Sequence, residues 1–149
     1  MADARYRRFV RRATVADATA VRDLFLAGEV AEFAARLSDG RSARGTTYYV
    51  AEAEGEIVAV FAITMLGRLR PGGGPRMLLH EIKLRANVRG TGVPEWIFRL
   101  LRTELGAGTD IELLAMSPLE QHPTVFTVFG LAPSHQIFKW PALVQEVRA

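Results

Sequence analysis

The chain has 149 residues, 49% of them apolar and 23% charged, with no cysteine and a formal net charge of +3. That is one domain, 1–149, of ordinary globular composition. The missing cysteines exclude a disulfide scaffold, a Cys-ligated zinc or iron–sulfur centre and a thiol nucleophile. No apolar run approaches the ~18 residues that read as a membrane-spanning helix, so no membrane partner is expected. The N-terminus carries charge without an apolar stretch behind it, so no secretory signal is expected and the cytoplasm is the expected location.

The basic surplus is arginine, 17 Arg to 2 Lys. Its one cluster is Arg5, Arg7, Arg8, Arg11 and Arg12, interleaved with Tyr6, Phe9 and Val10. This reads as a first strand with a solvated edge rather than a nucleic-acid surface, and no nucleic-acid partner is expected. A modest positive field still suits a small anionic ligand.

Taken in chain order, Phe9–Ala13 reads as a strand. Thr14-Val-Ala-Asp17 has capping-box spacing and predicts a helix with Ala18, Val21, Leu24 and Phe25 on one face. A second helix is predicted over Val30–Leu37, then a strand over Thr46–Ala53, a tight turn at Glu54-Gly55, and an apolar strand over Glu56–Leu66. The stretches 38–45 and 67–75 are loops by composition.

Arg76–Ala86 reads as a strand whose alternation puts His80, Ile82 and Leu84 on one face and Glu81, Lys83 and Arg85 on the other. After a Gly-containing turn, Val93, Trp96, Ile97, Leu100, Leu101 and Leu105 fall at helical spacing, with Gly106 a plausible stop. Asp110–Met116 reads as a strand and Glu120–Phe129 as a short helix. Gln136–Trp140 and Leu143–Val147 read as two final strands. The order is mixed α/β around one sheet.

Chemistry concentrates in Val88-Arg-Gly-Thr-Gly-Val93, between a strand and a helix start. Unpaired amides and the helix dipole make such a start an anion site, and Gly90 and Gly92 permit close backbone approach. By itself a Gly-x-Gly before a helix is more often a tight turn. No Gly-Lys-Ser/Thr follows, which excludes a P-loop, and position 95 is Glu, which excludes the dinucleotide fingerprint. There is no His-Glu-x-x-His, no other dense metal-ligand spacing and no Gly-x-Ser-x-Gly elbow.

The whole chain resembles the GNAT N-acetyltransferases. Val10–Ala18 resembles their first strand and helix start, and Leu79–Gly90 their fourth strand and following loop. The family's acyl-CoA motif is Gln/Arg-x-x-Gly-x-Gly/Ala; Arg89 and Gly92 match it, and Pro94 stands at its last position. The resemblance implies an α/β fold with a mostly antiparallel sheet of about seven strands and about four helices. It implies acetyl-CoA or coenzyme A held by Val88, Arg89, Gly90, Thr91, Gly92 and Val93, with no metal. The backbone amide of about Leu84 would polarise the thioester carbonyl, an oxyanion-type donor.

Glu81 matches the family's frequent general base, which an ammonium must meet before it can attack; the competing reading is a strand carboxylate paired with Lys83 or Arg85. Where the family usually has a Tyr acid the chain has Phe126, which has no hydroxyl and would only pack against the cofactor. Ser117, His122, Ser134, His135 or water are substitutes, none singled out by spacing. The expected acceptor is a primary amine of a small molecule or peptide. Its cleft would be bounded by the helices around 25–38, the 67–75 loop and the last hairpin, with a homodimer left open. The rivals are a non-catalytic CoA-binding module, favoured by Phe126 and Pro94, and a structural domain with no CoA site.

Overall fold

The computed structural model describes residues 7–38, 45–67, 69, 71–72, 74–88, 90–106, 111–116, 126–127 and 130–141. Its elements are β1 (Arg8–Arg12), α1 (Ala18–Phe25), α2 (Val30–Leu37), β2 (Thr46–Ala53), β3 (Glu56–Leu66), β4 (Arg76–Leu84), α3 (Val93–Leu101) and β5 (Glu112–Ala115). Among the described residues these five strands form one sheet in the order β1-β2-β3-β4-β5. The first three pairings are antiparallel and β4–β5 is parallel. No helix among the described residues is long and apolar enough to cross a membrane.

Local sequence accounts for most of these bounds. The Asp17 carboxylate accepts the Thr14 backbone N–H at 2.7 Å and its hydroxyl at 3.2 Å, which fixes the chain at the entry to α1. The same carboxylate takes both guanidinium nitrogens of Arg11 at 2.7 Å, and Arg11 also reaches Glu52 at 3.3 Å. Asp17 is buried, and this bidentate pair satisfies it. It also ties α1 to the β1–β2 edge. α1 ends where Leu26 turns left-handed, and the Glu54-Gly55 turn has positive φ at both residues, as a two-residue hairpin of this hand requires.

The sheet has two apolar faces. One packs Ala59, Phe61 and Ile63 of β3 and Leu79 of β4 under Ile97, Phe98 and Leu101 of α3. The other packs Val50 and Val60 against Val21, Leu24 and Leu37 of α1 and α2. Phe61, Leu79 and Val50 are the largest fully buried side chains, each worth roughly 1.5–3 kcal/mol of transfer free energy.

Three sequence expectations need correction. The sheet has five strands and three α-helices among the described residues, not about seven and four. Gln136–Trp140 is irregular and exposed, with Trp140 90% accessible, because its apolar side chains meet no opposing face. The predicted strand Leu143–Val147 lies outside the described residues, as does most of the predicted helix Glu120–Phe129, of which Phe126 and Thr127 are helical.

The third correction concerns β4. Ala62 pairs with His80 and Val60 with Lys83, so Phe61 faces two residues, Glu81 and Ile82. This is a β-bulge, with Glu81 in the left-handed region at φ 54. The extra residue reverses the alternation. Leu79 before the bulge and Ile82 and Leu84 after it share the α3 face, while His80 and Lys83 share the α1–α2 face. The predicted grouping of His80 with Ile82 and Leu84 therefore fails at Glu81.

Candidate active site

Among the described residues β4 and β5 run together from Arg76–Glu112 to Leu79–Ala115, followed by the Met116 amide on the Leu79 carbonyl at 2.9 Å. From His80 onward no described strand covers that edge of β4. The Arg85 amide donates to Val58 on β3, at 2.8 Å. Antiparallel alternation then turns the Leu84 amide, one residue back, toward the uncovered edge. The bulge, the last described rung of the β5 ladder and this outward amide fall within six residues of β4, 79–84.

The strand then leads into the glycine turn. The short helical turn Ala86–Val88 buries Val88, and Thr91 closes back on it, with its amide on the Val88 carbonyl at 3.2 Å. The Thr91 hydroxyl also donates to that carbonyl. Gly90 and Gly92 both have positive φ, and Gly92, at φ 79 and ψ 0, is the N-cap of α3. A Cβ at Gly90 would meet nothing within 4 Å. Val93 is buried and anchors the helix start, and Pro94 fills a first-turn position that needs no donor. Among the described residues the amides of Gly92 and Glu95 have no backbone acceptor. Open amides, a helix dipole and room at Gly90 fit a phosphate group. Arg89, the first residue of the expected motif, lies outside the described residues.

The structure brings a residue to this loop that sequence reasoning assigned to a solvated edge. Arg8 Nη2 donates to the Thr91 carbonyl at 3.1 Å. Arg8 pairs with Ala53 at the C-terminal end of β2, and β2 runs parallel to β4. The start of β1 and the loop after β4 therefore share one end of the sheet, where Arg8 adds a cation. Its place in an arginine cluster was the only signal in the sequence.

Glu81 sits on the bulge, exposed, and among the described residues no hydrogen bond or ion pair engages its carboxylate. The competing pairing is absent, since Arg85 bonds Glu56 across the β3 end instead. A non-glycine residue at positive φ costs roughly 1–2 kcal/mol, and such strain clusters at working sites. Phe126 is half-buried, its ring edge-on to Phe98 at 5.9 Å, so it packs on the α3 side of the sheet. Of the suggested substitute acids, Ser134 and His135 are exposed and bonded to each other at 2.7 Å, while Ser117 and His122 lie outside the described residues. Phe33, at the expected acceptor side, stacks on Phe25 at 5.6 Å; Arg68 and Arg70 are outside the described residues.

This fold, with a bulged fourth strand and a glycine turn opening the third helix, is shared with solved structures, several of them named acetyltransferases. Three of them match over nearly their full length. Glucosamine-6-phosphate N-acetyltransferase of Arabidopsis thaliana matches with TM-score 0.63 at 17% identity, covering 90% of this chain and 98% of its own. Ribosomal-protein-alanine N-acetyltransferase of Brucella melitensis matches with TM-score 0.62 at 13% identity, covering 91% and 100%. A transcriptional regulator of Bacillus halodurans matches with TM-score 0.67 at 16% identity, covering 91% and 99%. At these identities the likeness establishes the fold. No protein-family model and no curated protein matches the sequence.

Proposed function

We propose that the protein is an acyl-CoA-dependent N-acyltransferase that acetylates a primary amine of a small molecule or peptide by direct attack. The observation that carries this reading is the edge of β4 past Leu79, which no described strand covers, with the Leu84 amide turned toward it and a glycine turn at its end. Acetyl-CoA would supply the activated acyl group. Val88, Thr91 and Val93 shape the turn, Gly90 and Gly92 let the backbone approach the diphosphate, and Arg8 adds positive charge beside it. The Leu84 amide stabilises charge on the carbonyl oxygen as the amine adds. Glu81 takes the proton that the ammonium must lose before a new C–N bond can form. The C–S bond then breaks, and the thiolate takes its proton from water, since Phe126 has none to give.

The second reading is a CoA-binding module without turnover. Phe126, packed as a ring on Phe98, and Pro94, with no N–H, favour it. Calorimetric titration with CoA and acetyl-CoA, followed by CoA-thiol release with a panel of amines, separates the two. Tight binding with steady thiol release supports the enzyme; tight binding with none favours the module; no binding removes both.

A further inference from the structure

The two faces of β4 differ in chemistry beside the uncovered edge. On the α3 side Phe61, Leu79, Ile82 and Leu84 are apolar. On the α1–α2 side stand His80 and Lys83, brought onto one face by the bulge and neighbours there, roughly 7 Å apart along the strand. His80 belongs to a chain of three side chains. Thr46 Oγ1 lies 2.6 Å from Thr64 Oγ1, and Thr64 Oγ1 lies 2.6 Å from His80 Nε2.

The direction of that chain follows from counting donors. Thr46 is buried, and Thr64 is the one side-chain partner of its hydroxyl among the described residues; a bond donated from Thr46 to Thr64 is the direction that leaves no hydroxyl hydrogen of the described chain unpaired. Thr64 then donates to Nε2, which places the imidazole proton on Nδ1. His80 is thus left with a donor, and that donor has no acceptor among the described residues. Lys83 is half-buried in the row with Val50 and Val60, which are fully covered, and among the described residues no carboxylate lies within ion-pair distance of it. A half-buried ammonium and an unfilled N–H on one face call for an anion.

We infer that the acceptor carries an anionic group, carboxylate or phosphate, close to its amine, and that Lys83 and His80 hold it on the α1–α2 face of β4. The word acceptor rests on the acyltransferase reading; the anion site does not. Holding the anion there would leave the amine near Glu81, which follows His80 on the bulge between the two. Thr64 and Thr46 act through His80 as positioning residues.

The test uses the full chain, 15N-labelled at histidine and titrated with two matched pairs of amines: β-alanine against propylamine, and O-phosphoethanolamine against ethanolamine. The His80 signals should show the free protein protonated at Nδ1. The anionic member of one pair should shift them saturably and bind at least tenfold tighter than its neutral partner, and the responding pair tells carboxylate from phosphate. Lys83→Met should abolish the preference, Lys83→Arg should keep it, and Thr64→Val should free the tautomer. Equal binding of anionic and neutral members, no saturable shift with any of the four, a proton on Nε2, or a preference that survives Lys83→Met overturns the inference. A separate CoA titration reports on the acyltransferase reading, so that reading can fail while the anion site stands, and the reverse.

Discussion

Gly92 is where a ligand phosphate would meet the backbone, and two substitutions there separate conformational cost from charge. Its φ of +79 and ψ of 0 lie in the left-handed region, where an L side chain costs roughly 1–2 kcal/mol. A Cβ at this position would find only the Arg8 Nη1 nearby, at 3.8 Å, an ordinary contact, so no steric cost adds to the torsional one. Gly92→Ala should therefore lower stability by roughly 1–2 kcal/mol, about 2–8 °C in Tm for a chain of this size, with the turn intact. Gly92→Glu carries the same backbone cost and also places a carboxylate beside Arg8 and in front of the open amides. The new carboxylate would take Arg8 as its own partner and repel a diphosphate. CoA affinity should fall at least tenfold, about 1.4 kcal/mol, beyond any loss seen in Gly92→Ala. Thermal denaturation of both variants and calorimetric titration with CoA measure the two quantities. A Gly92→Glu protein that melts with Gly92→Ala and binds CoA like the wild type would show that no diphosphate sits on this turn.

Glu81→Gln should lower turnover roughly 10²–10⁴-fold with CoA affinity unchanged, and the defect should shrink at high pH, where the amine is already neutral; wild-type activity at neutral pH would reduce Glu81 to a bulge residue. Asp17→Asn should destabilise the fold by roughly 2–3 kcal/mol, the cost of breaking a buried pair discounted for the partly exposed Arg11. The Arg11 hydrogen bonds hold the Asp17 carboxyl below its ordinary range, so its contribution is complete above the unfolded value, about 3.9, and is lost as pH falls through the lower folded one. Urea denaturation from pH 7 downward should show the variant lacking that loss, and a parallel decline in both proteins would contradict it. Phe126→Tyr should change kcat only modestly and cost about 1 kcal/mol if the hydroxyl finds no partner, since the ring already packs on Phe98; a large gain from a silent wild type would instead mark Phe126 as the lesion.

Much of the fold was legible because its signals are local. Val30–Leu37, Thr46–Ala53 and Glu56–Leu66 fall where amphipathic spacing, β-branched content and the Glu54-Gly55 turn put them. The glycine turn was legible because positive φ selects glycine. The bulge was not, since Leu79-His-Glu-Ile-Lys-Leu84 alternates cleanly and no glycine marks the left-handed residue, which is Glu81. The cross-strand pairing with Phe61 decides it, and that is a property of two strands. Arg8 and Thr91 are 83 residues apart and meet through the sheet's topology, which no local pattern encodes. His80 was hidden for the same reason: its bond to Thr64 crosses from β4 to β3.

The bulge also bears on how this strand can change over evolutionary time. β4 keeps two phases of alternation, one before Glu81 and one after, and a single surplus residue reconciles them. Side-chain replacements within either half leave that arrangement in place. Losing one residue near position 81 would do something different in kind. Without Glu81, Phe61 would face Ile82 alone, Lys83 and Leu84 would keep Val60 and Ala59 as partners, and the strand would alternate evenly from end to end. The bulge is therefore an addition to a strand that would pair evenly without it, and a chain lacking residue 81 should keep the packing of β4 under α3 while losing the carboxylate and the left-handed turn that presents it.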